Sequence, residues 1–296
     1  MNFVNRNGRQ IQYCKAAKKL NLLHLPDDLT VMIIGKLTAI EILTSAQFVC
    51  RRWRRICMDP LMWQTVNMCD IRIRNAVEYK LVEKMCRHAI DRSCGQLEDI
   101  SIKYFGTDDL LKYIIDSGCH KLRRLRLVQC LNQISDKGLY KMAEKLPLLE
   151  ELEITLCLNV SGIALEAIGR GCPLLKSLKF NYNRNNTGEE FAIAQNMSNL
   201  RHLQLVPSSF NNSGSRAILN GCPHLEYLDL HECDIVEVEG ILKTRSDAQL
   251  VTPIPKPTSK FTSNSNYILS TLLFSFLLLF LLLLGKNSSE LDFTLS

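Results

Sequence analysis

Between Leu97 and Leu230 the chain alternates two hydrophobic periods. LEDISI from Leu97, LRRLRL from Leu122, LEELEI from Leu149, LKSLKF from Leu175, LRHLQL from Leu200 and LEYLDL from Leu225 recur at intervals of 25, 27, 26, 25 and 25 residues. In each apolar-x-x-apolar-x-apolar run, the last two apolar residues share one face of a short strand and their neighbours point the other way. A helical period follows: Leu139, Met142 and Ala143; Ile163, Leu165 and Ile168; Phe191 and Ile193; Ala217, Ile218 and Leu219. One strand and one helix cannot bury their own apolar side, so the units must stack. The pattern predicts an α/β solenoid of about six repeats over residues 94–246.

A different pattern fills Leu25 to Trp63, LPDDLTVMIIGKLTAIEILTSAQFVCRRWRRICMDPLMW. Pro26 opens a helix, and Asp27 and Asp28 place acid where a helix N-terminus favours it. Leu29, Ile33 and Leu37 follow at helical spacing. Ile42, Leu43, Ala46, Val49, Cys50 and Trp53 form a second apolar stripe, and Asp59-Pro60 opens a third short helix ending near Trp63. Roughly 40 residues of helix is too little to fold comfortably alone. A unit of this kind with a surplus apolar face is a docking module.

The repeats resemble the leucine-rich repeat in its cysteine-containing subtype. Cys130, Cys157, Asn183, Ser208 and Cys233 fall three residues after the last apolar strand position, and Gly118-Cys119, Gly171-Cys172 and Gly221-Cys222 open units. The helical quarter resembles the F-box: Leu-Pro, acid-Leu, Ile-Ile, Leu, Val-Cys-Arg-Arg-Trp-Arg, Asp-Pro and Trp fall at that family's spacing. Together they look like a plant-type F-box/leucine-rich-repeat protein of the small Skp-interacting subgroup. The resemblance implies a non-catalytic substrate-recognition subunit of an SCF-type ubiquitin ligase. The F-box docks on the Skp adaptor, and through it on cullin and RING protein, while the repeats bind a client. It carries adaptor binding to Leu25, Pro26, Leu29, Ile33, Leu37, Val49, Cys50 and Trp53. A protein-binding scaffold without a ubiquitination role, membrane-tethered or not, is the alternative.

If the strands line a concave side, their outward residues form rows. These are Asp99, Ser101, Lys103; Arg124, Arg126, Val128; Glu151, Glu153, Thr155; Ser177, Lys179, Asn181; His202, Gln204, Val206; and Tyr227, Asp229, His231. Arg124 should face Glu151 and Arg126 should face Glu153 on the adjacent strand. The later rows are less self-compensated, so Lys179, His202, Gln204, Tyr227, Asp229 and His231 are the expected client contacts.

Composition narrows the alternatives. With 46% hydrophobic and 22% charged residues the chain folds a core, and a net charge of +6 over 296 residues does not demand a nucleic-acid function. Arg51, Arg52, Arg54 and Arg55 read as a solvated helix face around Trp53, with no aromatic stacking platform beside them. The first twenty residues hold no apolar run of signal-peptide type, so the twelve cysteines are expected to be reduced thiols in cytoplasm or nucleus. Cys222, His224, His231 and Cys233 offer zinc-ligand types, but both cysteines sit on repeat positions and the chain has no Cys-x-x-Cys pair. No metal or cofactor is expected. The six histidines are scattered, and the sequence lacks a phosphate-binding glycine loop, a Gly-x-Ser-x-Gly elbow and a His-Glu-x-x-His run.

One segment departs from this soluble pattern. Tyr267 to Leu284 is 18 residues without a charge, with ten leucines, three phenylalanines and one isoleucine. As a helix it would run roughly 27 Å, close to a hydrocarbon core of about 30 Å. The expected organisation is therefore a 1–24 extension, 25–66 F-box, 67–93 helical connector, 94–246 repeats, 247–266 linker, 267–285 single transmembrane helix and 286–296 tail. Lys256 and Lys260 before the span, against Lys286 after it, place the folded part on the cytoplasmic face of a membrane.

Overall fold

The computed structural model describes residues 25–69, 76–181, 188–206 and 212–230. Three short helices come first: α1 (Asp27–Ile34), α2 (Ala39–Thr44) and α3 (Arg51–Cys57), with a 3-10 turn at Ala46–Phe48 between the last two and another at Pro60–Trp63. Pro26 is the residue before α1, not its first turn, and Thr38 closes a capping box with Glu41 at the start of α2. The spacing predicts a single apolar stripe from Ile42 to Trp53. The chain breaks it, because Cys50 takes an extended conformation and its sulfur accepts from the Trp53 amide as the cap of α3.

The remainder is one seven-stranded parallel sheet in sequential order: β1 (Thr65–Met68), β2 (Asp99–Lys103), β3 (Arg124–Ser135), β4 (Glu151–Asn159), β5 (Ser177–Asn181), β6 (His202–Val206) and β7 (Tyr227–Leu230). The crossovers run through α4 (Ala76–Arg92), α5 (Asp108–Asp116), α6 (Asp136–Ala143), α7 (Gly162–Gly171), α8 (Glu189–Asn196) and α9 (Asn212–Gly221). Six strands match the six repeats read from sequence. The seventh, β1, lies where an F-box end and the start of a helical connector were expected; among the described residues of that connector, 76–92 are helical.

A carbonyl ladder shows why β1 belongs to the series. Gln64 O accepts from the amides of Glu98 and Asp99, and Glu98, Arg123, Glu150, Lys176 and Arg201 repeat this toward the next unit. The F-box therefore ends on the first rung, and its core is continuous with that of the solenoid from Ile34 to Leu228. Across the helix starts a second ladder runs through side chains. Asp108 accepts from the Ser135 amide (2.9 Å) and hydroxyl, and Asp136 from those of Ser161 (2.8 and 2.6 Å). It stops at α7, where the equivalent position is Gly162 and the next cap is Gly188. One residue on, the Glu189 carboxylate is 1% exposed without a hydrogen-bond partner among the described residues, and burial raises its pKa.

The Gly-Cys pairs have a steric cause. A Cβ on Gly171 would lie 2.5 Å from the Ala143 carbonyl oxygen of α6, and one on Gly221 2.1 Å from that of Ala194 in α8. Gly118 instead needs its left-handed backbone, φ 74°. Cys119, Cys172 and Cys222 then turn into the core, as do Cys130 and Cys157. None of the ten described cysteines is in a disulfide, and burial pushes the Cys86 and Cys172 thiols up to about 12. No group of ligands able to hold a metal forms among the described residues. Two residues assigned to buried helix faces, Ile163 and Phe191, are exposed; Ala164 and Glu190 are buried instead.

Asn183, Ser208, His231, Cys233, the N-terminal extension, the linker, the charge-free segment and the tail lie outside the described residues. Among the described residues no single helix is long and apolar enough to cross a membrane. The pair Asp27–Ile34 and Ala39–Phe48 passes on length and composition only, bent by 117°.

Candidate functional site: a helical docking face and a charged sheet face

Burial divides the helical unit into a core and a surplus apolar surface. Thr30 and Ile34 form the inward stripe of α1, with the Thr30 hydroxyl donating to the Pro26 carbonyl (3.0 Å). Leu29, Val31 and Met32 point outward, Met32 being 65% exposed; Phe48 and Leu61 are each 63% exposed and Met58 is also open to solvent. Of the eight residues carried over for adaptor binding, Pro26 and Leu29 are exposed, and Leu25, Ile33, Leu37, Val49 and Cys50 are half-buried. Trp53 is a correction. At 2% exposed it is core, with almost no surface to offer a partner, and its indole N–H has no hydrogen-bond partner among the described residues. Val31, Met32, Phe48, Met58 and Leu61 are exposed apolar residues outside that set of eight. Their signal was an apolar surplus, since α1 carries Leu29, Val31, Met32, Ile33 and Ile34 where one inward stripe needs about half of them.

The arginine run is partly engaged. Arg52 Nε lies 2.5 Å and Arg55 Nη2 3.1 Å from the two oxygens of Asp27, tying α3 to the start of α1. Arg52 and Arg55 thereby hold the Asp27 carboxyl below its ordinary value. Behind this unit, Arg92 at the end of α4 donates to Gln47 Oε1 (2.8 Å) and lies over the Trp63 ring (5.4 Å), fastening the helices to the first repeat.

The sheet face carries the expected rows in the expected register: Asp99, Arg124, Glu151, Ser177, His202 and Tyr227 are successive partners, as are Ser101, Arg126, Glu153, Lys179, Gln204 and Asp229. The pairing within them differs. Arg124 Nε turns back to Asp99 (2.8 Å), and Arg126 Nη1 reaches both Asp99 (3.1 Å) and Ser101 (3.0 Å). Arg126 stays 3.9 and 4.0 Å from Glu151 and Glu153, while Lys179 takes Glu153 at 3.0 Å. Asp99 is nearly buried, and a desolvated carboxylate costs far more unpaired than an exposed one. The arginines therefore serve it before the exposed Glu151.

Beside these rows lies a depression of about 290 Å³ lined by Arg126, Glu151, Glu153, Lys179, His202, Gln204 and Tyr227, with Ser177 on its lining. Four of the six residues expected to contact a client, Lys179, His202, Gln204 and Tyr227, meet there. Asp229 bonds Gln204 at 3.1 Å, and His231 lies outside the described residues.

Residues 22–69 match the F-box-like family. The chain is 45% identical over 233 residues to the F-box protein SKIP19 of Arabidopsis thaliana, covering 78% of this chain and 76% of that one. It is 42% identical over 241 residues to F-box/LRR-repeat protein 9 of the same plant, covering 77% and 94%. The chain belongs to the plant F-box/LRR-repeat family. F-box/LRR-repeat protein 23 of Arabidopsis thaliana is 47% identical over 238 residues, but the match spans only 52% of its length. In this F-box/LRR-repeat chain the matched family segment covers the three helices and all of β1, so one family unit supplies both the docking helices and the first strand of the sheet.

Proposed function

We propose that this chain is the substrate-recognition subunit of an SCF-type ubiquitin ligase. The outer apolar face of the F-box docks a Skp-type adaptor, and through it cullin and RING protein, while the sheet face holds the client. The observation that carries this reading is the continuous core. A docking face and a ligand-sized charged depression sit on one body, so a client held by the sheet has a fixed position relative to the ligase. The chain's own part is then positioning, not catalysis. The test is co-purification of the full chain with adaptor and cullin, beside a variant carrying Leu25→Ala and Pro26→Ala. Adaptor and cullin should be lost from the variant while its solenoid keeps the parent's circular dichroism; unchanged recovery overturns the proposal.

Localisation is part of the same proposal. The charge-free stretch Tyr267–Leu284 supports tethering at the cytoplasmic face of a membrane, which would confine the ligase to clients at that surface. The full chain should pellet with membranes after carbonate extraction, whereas a chain stopped at Lys260 should stay soluble. A carbonate-soluble full chain removes the tether and leaves cytoplasm or nucleus.

A further inference from the structure

We infer that the client presents an extended segment with two anchors: a lysine or arginine side chain that enters the depression beside Glu151, and an apolar side chain about five residues away that rests on Leu131 and Leu156. This rests on the reading of the sheet face as the client platform.

The charge argument comes from the pairing. Around the depression, Arg126 spends Nη1 on Asp99 and Ser101, and Lys179 and Glu153 satisfy each other at 3.0 Å. Glu151 remains: its side chain is 49% exposed and its nearest described cation, Arg126 Nη2, is 3.9 Å away, beyond hydrogen-bond reach. Ser177 separates Glu151 from His202 in the same row, so a small side chain lies between two larger ones on strands roughly 10 Å apart. The far wall is His202 and Tyr227, whose ring centroids are 6.2 Å apart. A carboxylate on one side and aromatic faces on the other fit a long basic side chain, whose stem packs on the rings while its head reaches the carboxylate. An acidic side chain would meet Glu151 and Glu153 together, and could gain Lys179 only by breaking its 3.0 Å pair.

The second anchor lies along the same strand. β3 and β4 outrun the other strands, and their register shifts after Val128, where Leu131 partners Cys157. At that shift Gln129, Leu131 and Leu156 all adopt the left-handed backbone, with φ of 54°, 42° and 54°. Such positions are disfavoured for a non-glycine residue and persist only where the surroundings impose them. Here they turn Leu131 and Leu156 toward solvent, 53% and 40% exposed, with Leu158 also exposed beyond them. From Glu151 to Leu156 is five residues, roughly 16 Å of strand, which an extended client covers with about the same number.

The test is selection of a random 12-residue peptide phage library on the immobilised complex of full chain and Skp-type adaptor, counter-selected on adaptor alone. Enriched peptides should carry Lys or Arg with Leu, Ile, Met or Phe four to six residues away. Glu151→Gln should weaken a selected synthetic peptide about tenfold, the loss expected for one charge-assisted hydrogen bond. Leu131→Ser with Leu156→Ser should weaken it by a similar factor, and both variants should retain adaptor. No enrichment over adaptor alone, enrichment without the basic residue, or an affinity unmoved by Glu151→Gln overturns the inference. A parent chain that fails to capture adaptor at all would instead overturn the ligase reading.

Discussion

Met32 and Trp53 lie on opposite sides of the division between docking face and core, and paired substitutions separate them. Burying a methionine side chain fully is worth about 1.5–3 kcal/mol. Met32 keeps 65% of its surface in the folded chain, so about 1–2 kcal/mol is left for a partner to gain. Met32→Ser should therefore change the chain's own stability by no more than about 0.5 kcal/mol, as other surface substitutions do. It should weaken adaptor binding roughly 5- to 30-fold, at about 1.4 kcal/mol per factor of ten. Trp53 has almost no surface left to offer. Trp53→Ala opens a cavity costing about 3–5 kcal/mol, comparable with the whole stability of a marginal domain, so adaptor binding is lost together with the fold. The assay pairs adaptor affinity by biolayer interferometry with thermal melts followed by circular dichroism. The reasoning is refuted if Met32→Ser binds adaptor like the parent, or if it lowers the melting temperature as Trp53→Ala does.

Two further substitutions probe the solenoid. Gly221→Ala would put a methyl group 2.1 Å from a backbone oxygen of α8, and overpacking of about 1–3 kcal/mol outweighs the gain of up to about 1 kcal/mol from better helix propensity. The melting temperature should fall by about 2–8 °C; a variant melting at or above the parent would show that α8 and α9 separate freely. Glu189→Gln should stabilise the chain at pH 7, because a neutral amide is spared the desolvation penalty that the buried, ionised carboxylate pays. Burial raises this carboxyl above its ordinary value of 4.5, so the penalty is absent below that value, grows as pH rises, and is complete above the folded pKa. Urea unfolding of parent and variant should converge near pH 4 and separate toward pH 7, and equal stability at pH 7 would place a partner on Glu189.

Much of this architecture was legible because repetition supplies its own control. Six strands and the register between Arg124 and Glu151 followed from a 25–27-residue spacing that chance does not sustain. The first strand escaped although its template is present: Trp63, Val66 and Met68 have the same apolar-x-x-apolar-x-apolar spacing as Leu97, Ile100 and Ile102, and all six are buried. It lies 34 residues ahead of the next unit, and Trp63 had already been claimed by the F-box pattern. The helical unit was harder, because nearly every position of α1 is apolar. Periodicity placed Leu29, Ile33 and Leu37 on one stripe, whereas the buried one is a step later, at Thr30 and Ile34. A threonine that bonds its own backbone can line a core, and no hydrophobicity count reveals that.

The sheet face shows what register leaves undetermined. Opposed residues fix which side chains are within reach, and Arg126 is within reach of Asp99, Ser101, Glu151 and Glu153. Desolvation decides among them, and desolvation depends on depth: Asp99 and Ser101 are nearly buried at the F-box end of the sheet, while Glu151 is open. Depth in turn comes from β1, which covers β2 on the side where a six-strand sheet would have left an edge. Missing that strand is thus the same error as pairing both arginines with the glutamates. Once β1 is in place, Asp99 is an interior acid needing two cations, Arg124 and Arg126 supply them, and Glu151 is left facing the depression with Arg126 no nearer than 3.9 Å.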